Sequence, residues 1–304
     1  MDHWQASANP PVPSLTVQSP STVEQPDQAP PVPSRSFARA RQDLTQGWRN
    51  RQLWAHLGWQ DIKQQYRRSV IGPLWITISM AVTATALGIL YSGLMGQPLE
   101  RQLPYVAVGF IVWNFIGGCV NEGANVFIAN EGLIKHLPAP ISVHVYRLVW
   151  RQTLLFLHNL VVYVAVLLIF PPWNYGGHIS FSMLLAVPAL LLLMVNGLAV
   201  STFVGIVSTR FRDIPPITGS VVQMLFFMTP VAWIYDSQLL HNSPRVKYAE
   251  LNPFLHYVEM IRQPMLGQPI VWRHWYVVLV ATVVLTGLAA IFLRNYRARV
   301  SYWV

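Results

Sequence analysis

The feature that most constrains this chain is an apolar run from about residue 71 to residue 95, entered abruptly from a polar, basic segment. Asp61 to Trp75 reads Asp-Ile-Lys-Gln-Gln-Tyr-Arg-Arg-Ser-Val-Ile-Gly-Pro-Leu-Trp, passing from Lys63, Arg67 and Arg68 through a Gly72-Pro73 break into the run. Roughly 25 apolar residues are enough to cross a ~30 Å hydrocarbon layer. A polar turn beside a soluble core helix looks similar over ten residues, but the run that follows does not. The segment is expected to mark a boundary between water and lipid.

The pattern recurs. Spans are expected at about 71–95, 103–127, 148–170, 179–207, 215–235 and 272–293, and 53% of the 304 residues are hydrophobic while only 11% are charged. That balance fits an all-α polytopic membrane protein of six transmembrane helices. A helix of about 22 residues, such as the last span, covers about 33 Å. Pro188 in span four and Pro230 in span five are each expected to bend their helices, because proline removes a backbone donor. Trp and Tyr near the span ends, among them Trp75, Tyr91, Tyr105, Trp173, Trp272 and Tyr276, resemble interfacial belts.

Outside the spans, residues 1–45 are rich in Pro, Ser, Gln and Thr and predict a disordered cytoplasmic tail with no signal-peptide core. Residues 46–70 place Trp54, Leu57, Ile62 and Tyr66 at near-helical spacing among basic residues, the pattern of an amphipathic helix in the headgroup plane. A helix packed on another domain is the alternative. Residues 236–271 are long for a connection, with short apolar stretches between Pro244, Pro253, Pro264 and Pro269. Two short helices dipping back into the membrane account for this better than a plain external loop. Residues 295–304 are expected to form a short cytoplasmic C-terminal tail.

Charge sets the expected orientation. From Arg49 onward, 13 basic residues lie on one side (Arg49, Arg51, Lys63, Arg67, Arg68, Lys135, Arg147, Arg151, Arg210, Arg212, Arg294, Arg297 and Arg299), against Arg101, Arg245, Lys247, Arg262 and Arg273 on the other. The positive-inside rule therefore puts both termini in the cytoplasm of a multi-pass plasma-membrane protein. The net charge of +9 lies beside apolar spans, which suits anionic lipid headgroups and not nucleic acid. A single cysteine, Cys119, excludes an intrachain disulfide and a cysteine-based metal cluster, and the nine histidines show no metal-ligand spacing.

Enzyme motifs are missing. The chain has no GxxxxGK[ST] phosphate loop, no Gly-x-Ser-x-Gly elbow and no His-Glu-x-x-His. A membrane glycosyltransferase would need surface carboxylates, yet Glu122, Glu131 and Asp213 are the main candidates and no Asp-x-Asp pair occurs. Glu122, beside Asn121 and Asn125, is a functional candidate as an ionisable group near a span end, with simple access to water as the plainer account. His158, Asn159 and Asn196 are expected to make interhelical hydrogen bonds. Trp113, Phe115, Phe226, Phe227, Trp233 and Tyr235 are candidates to present ring faces to a sugar passing through the membrane, although lipid-facing packing explains any one of them alone.

Several motifs together resemble the membrane subunit of ABC-2 type polysaccharide exporters, the group of O-antigen, capsule and teichoic acid permeases. They are Tyr66-Arg67-Arg68-Ser69-Val70-Ile71-Gly72-Pro73-Leu74-Trp75, Asn130 through Leu133-Ile134-Lys135 to Pro140, Arg212-Asp213-Ile214, Thr229-Pro230-Val231, and Leu251-Asn252-Pro253-Phe254 with Arg262. The likeness covers about residues 50–300. It implies an ABC-2 (type V exporter-like) fold that works as two permeases with two ATPase subunits, ATP and Mg being bound by the partner and no cofactor by this chain. The implied cargo is a polyprenyl-diphosphate-linked glycan moving outward.

By the same resemblance, Asn130, Leu133, Ile134, Lys135, His136 and Pro140 belong to the loop that couples to the ATPase. Arg212 and Asp213 sit in the second cytoplasmic loop, and Asn252, Pro253 and Arg262 in an external gate. Lys63, Arg67 and Arg68 are the expected attraction for the lipid diphosphate, since guanidinium pairs with phosphate oxygens in bidentate fashion. Relatives often carry a second lysine and an aromatic pair after Leu-Ile-Lys, where this chain has His136-Leu137-Pro138-Ala139. The runs 132–138 and 142–152 look most like the mycobacterial and actinobacterial branch that exports cell-wall galactan. An ABC-2 exporter of a drug or small lipid would share the fold. A reporter active only outside the cytoplasm, fused near Pro172, is expected to score as external; an internal score would reverse the orientation.

Overall fold

The computed structural model describes residues 35–65, 67, 71–72, 74–136, 139–235 and 246–304. All regular structure among them is helical. The elements are α1 (Phe37–Arg49), α2 (Arg51–Gln65), α3 (Leu74–Met95), α4 (Leu99–Asn125), α5 (Glu131–His136), α6 (Ser142–Ile169), α7 (Ala186–Arg210), α8 (Ile214–Met228), α9 (Val246–Ala249), α10 (Pro253–Met265) and α11 (Trp272–Trp303), with 3-10 turns at 128–130, 172–175 and 181–185.

Five helices are long and apolar enough to cross a membrane: α3, α4, α6, α7 with its preceding turn, and α11. The expected fifth span is different. Its helix α8 has 15 residues and stops at Met228, so residues 229–235 continue without helical structure. Pro230 therefore follows the helix end and does not bend a longer helix. Pro188 is likewise no kink, because it lies in the first turn of α7, where a missing N–H costs nothing.

α4 is the hub. It packs against α3, α6, α7, α8 and α10, and 78% of its most apolar window is buried, against 17% for α3 and α11. Small residues let neighbours approach closely. A Cβ added at Gly123 would lie 2.8 Å from the Ser201 Cα on α7, and the Ser201 hydroxyl donates to the Cys119 carbonyl at 2.8 Å. Across the bundle the Asn196 amide donates to Thr282 at 2.7 Å and its oxygen accepts from the Tyr257 hydroxyl at 2.8 Å, so this expected interhelical link is present.

The N-terminal boundary needs correction. The expected tail to residue 45 overlaps α1, which starts at Phe37 with Ser36 as N-cap, its hydroxyl accepting from the Arg39 N–H at 3.2 Å. The single interfacial helix expected over 46–70 is the end of α1 followed by α2. Trp54, Gly58 and Ile62 of α2 are buried, four residues apart on one face, and α2 packs on α6. Tyr66 lies outside the described residues, as does the tail to residue 34.

α1 is held by a buried carboxylate. Asp43 accepts from the Ser142 backbone N–H at 3.1 Å, capping α6 from another helix, and the Ser142 hydroxyl donates to the Asp43 carbonyl at 2.8 Å. Arg297 of α11 lies 3.6 Å from the same carboxylate, and the Arg294 guanidinium sits 4.5 Å over the Phe37 ring. The expected C-terminal tail at 295–304 is thus a continuation of α11, and α6 begins at Ser142 inside the expected 129–147 loop.

Overpacking at the α4–α7 crossing costs about 1–3 kcal/mol. Gly123→Ala is expected to lower the thermal unfolding midpoint of the purified protein in detergent. Gly287→Ala on α11, where an added Cβ meets nothing within 4 Å, should leave it unchanged or raise it slightly.

Candidate functional site

Residues that sequence motifs set far apart meet around a buried arginine. Arg262 on α10 has no exposed surface and pairs with Glu259 one turn earlier at 2.5 Å. Its two terminal nitrogens donate to the carbonyls of Pro230 at 3.0 Å and Val231 at 2.9 Å. The guanidinium also lies 3.6 Å from the Tyr105 ring centroid, and the Tyr105 hydroxyl donates to Glu259 at 3.2 Å. Gln102 donates to the Ala232 carbonyl at 2.6 Å.

The break after α8 explains why these donors are needed. Once the helix ends at Met228, its following carbonyls have no intrahelical partner, and at membrane depth water does not supply one. Arg262 and Gln102 supply those bonds. Asn252 ties this corner to α10, donating to the Thr229 hydroxyl at 2.9 Å and capping α10 by accepting from the Phe254 N–H at 3.0 Å. Pro253 takes the first position of that helix, where its missing donor is harmless.

Gly109 of α4 is required by this packing. An added Cβ would collide with Arg262 Nη2 and the Val231 carbonyl. The described part of 236–271 holds the four-residue α9 and the longer α10, and eleven of the thirteen α10 residues are buried inside the bundle. Residues 236–245 lie outside the described residues. Arg262, counted by sequence as one of the external basic residues, is no surface charge.

The six aromatic candidates divide. Phe226 on α8 stacks edge-on with Trp113 at 5.8 Å and with its neighbour Phe227 at 5.3 Å. Two rings that were not singled out extend the row: Phe110, 5.2 Å from Phe226, and Phe254, 5.8 Å from Trp113. Phe110 was legible in principle, since it precedes Trp113 by three residues on one helix face. Phe115, two residues beyond Trp113, points elsewhere and meets Phe156 at 6.2 Å. Trp233 and Tyr235 are partly buried in the irregular stretch beyond α8, not on a helix. Phe227 is the exposed member of the row, while Trp113 is buried behind it.

At the basic end, the loop residues form a separate group. Asn130 donates to the Val126 carbonyl at 2.8 Å and accepts from Arg147 at 3.3 Å. Lys135 pairs with Glu131 at 2.6 Å along α5, and that hydrogen bond, reinforced by the charge, holds the Glu131 carboxyl below its usual range. Leu133 and His136 are exposed on α5, Ile134 packs on the core, and Pro140 is partly buried. Arg212 and Asp213 are exposed just before α8. Lys63 is exposed and lies 5.7 Å from the Trp59 ring, and Arg67 is exposed beyond the end of α2. Arg68 lies outside the described residues.

Glu122 was the one candidate among the ion pairs of α6 at this end; its partner and the second pair were not singled out. Arg147 binds Asp61 of α2 through two nitrogens, at 2.8 and 2.5 Å, and Arg151 one turn later pairs with Glu122 of α4. With Asn121, Asn125, Asn130 and His144 they surround a cavity of about 500 Å³. Among the described residues no group of His, Cys, Asp and Glu is arranged to hold a metal ion.

Removing one partner of a buried ion pair costs about 3–5 kcal/mol, because the other charge is left unpaired. Arg262→Met is therefore expected to lower the unfolding midpoint sharply. The double variant Arg262→Met with Glu259→Gln should recover part of the loss, which a thermal unfolding series would measure as non-additivity.

Residues 52–266 match the ABC-2 type transporter family. Relatives include an O-antigen export system permease protein, RfbA, of Klebsiella pneumoniae, 24% identical over 178 residues, which covers 58% of this chain and 67% of the relative. The O-antigen export system permease protein RfbA of Myxococcus xanthus is 23% identical over 196 residues, covering 64% and 73%. With its long apolar helices and a family match over well more than half its length, this chain is a multi-pass membrane protein that belongs to the ABC-2 type transporter family.

Proposed function

We propose that this chain is the membrane permease of an ABC transporter that exports polyprenyl-diphosphate-linked polysaccharide across the bacterial plasma membrane, with cell-wall galactan as the cargo. A separate ATPase subunit supplies the energy. The observation that carries this reading is the likeness to O-antigen export permeases over more than half of the chain. The row of rings from Phe110 through Phe226 to Phe227 supports it, since aromatic faces contact sugars without demanding one hydroxyl pattern.

Two copies of the permease and two of the ATPase form the working unit, with both termini of each permease in the cytoplasm. The ATPase bears on the segment from Asn130 to Pro140, where exposed Leu133 and His136 offer the contact. Asn130 hands a displacement to Arg147, and Arg147 to Asp61 on α2. Lys63, Arg67 and Arg68 attract the diphosphate at the headgroup level. The glycan then passes along weakly holding surfaces, because a lining that binds tightly at any point would stall a long polymer. At the outer end, α9 and α10, pinned through Asn252 and Arg262, close the exit at rest.

Depleting the protein in its own cell is expected to trap full-length polyprenyl-linked polymer on the cytoplasmic face, read by lipid extraction and protease-protected lectin labelling of inverted vesicles. A glycosyltransferase would instead leave the polymer short or absent, and an exporter of drugs or small lipids would leave its amount and location unchanged.

A further inference from the structure

A second cavity with polar lining, of about 550 Å³, is bordered by α3, α4, α6 and Gln65 at the end of α2. Ser79 and Thr83, which line it, are about 8 and 14 Å along α3 from its start. Both hydroxyls donate to carbonyls of their own helix, at 2.7 and 2.8 Å, which leaves their oxygen lone pairs directed outward as acceptors.

Two carboxamides face the same space. Asn159 of α6 is only 5% exposed, and its Oδ1 has no hydrogen-bond partner, contrary to the interhelical bond expected of it. Asn114 of α4 is exposed, and its amide finds only the Met80 sulfur at 3.4 Å, a weak acceptor. Hydrocarbon is a poor neighbour for such groups, so these are not the side chains of a lipid-facing wall. The rings of Trp75 and Phe110 line it too, with Gln65, Ile76 and Met80, and Phe110 continues directly into the row that runs through Phe226.

We propose that this cavity is a subsite for neutral sugar residues of the translocating glycan, a statement that rests on the polysaccharide-export reading above. Carbohydrate hydroxyls both donate and accept, and they match acceptors at Ser79, Thr83 and Asn159 together with a donor at Asn114. The CH-rich sugar faces match Trp75 and Phe110. None of the residues bordering the cavity is ionised, so it suits an uncharged hexose and gives no grip to a diphosphate. The hydrogen bonds are few, which lets a sugar leave as readily as it arrives.

The test uses the full chain in lipid nanodiscs with its ATPase. Asn114→Cys and Ser79→Cys are expected to react with a charged, water-soluble methanethiosulfonate, while Val164→Cys on the exposed apolar side of α6 is not; native Cys119 is buried and gives a low background. A galactose tetrasaccharide at millimolar concentration should slow labelling at Asn114→Cys at least threefold, and inorganic pyrophosphate should not. In cells, Asn114→Leu with Asn159→Leu should cut glycan export about tenfold, with permease amount and ATPase association unchanged, and Asn114→Gln should retain most of it. Absence of labelling at Asn114→Cys, labelling indifferent to the tetrasaccharide, or full export by the leucine variant would each overturn the subsite. A wild-type complex that exports no glycan would instead sink the functional reading and leave the labelling result standing.

Discussion

The structure depends on one exchange between a charge and a broken helix. α8 stops at Met228, and the carbonyls of Pro230 and Val231 are left without helical partners inside an apolar bundle. Arg262, an equally awkward group to bury, provides the donors. Each is costly alone, since a buried guanidinium needs its hydrogen bonds filled and an unpaired carbonyl at membrane depth has no water to turn to. Glu259 and the Tyr105 ring add to the arginine's surroundings, while its Nε is left without a hydrogen-bond partner. Three elements that are distant in sequence are thereby pinned at one point: the start of α4, the end of α8 and the middle of α10.

Much of the fold was legible because it follows from apolar length. Spans one to four and six fall within a few residues of the observed helices, apart from α6 and α11, which extend further at the basic end. What apolar length does not encode is the neighbour. α3 and α4 are similarly apolar, yet one is mostly open at its surface and the other is the buried hub, because hydropathy does not tell lipid from protein. The same blindness misread the stretch 215–235, whose apolar residues continue past the point where the helix ends. Of the site, the motifs Thr229-Pro230-Val231 and Asn252-Pro253 were visible as separate strings. That they touch through Asn252 and Arg262 needed the tertiary structure.

The aromatic candidates carry a similar lesson. Trp113 and Phe115 are two residues apart, which on a helix turns them to opposite sides, so one joined the row with Phe226 and the other the packing against Phe156. At the basic end, Arg147 and Arg151 were read for their number and not for their partners. Their roles depend on Asp61 and Glu122, which come from other helices and have no local signature. Uncharged polar residues were the hardest to place: Asn196 found an interhelical partner and Asn159 did not, although both looked alike within their apolar runs.

Asp43 ends in an unusual position, holding the first N–H of α6 while Arg297 approaches its other oxygen. The first and last of the described helices therefore meet at the residue that begins α6. A displacement of the start of α6 would have to break the carboxylate from its amide, and with it the bonds that Tyr146 and Arg147 make to Leu44 and Asp61. The start of α6 is in this sense clamped, with a carboxylate, an amide and a guanidinium drawn together from elements far apart in the sequence.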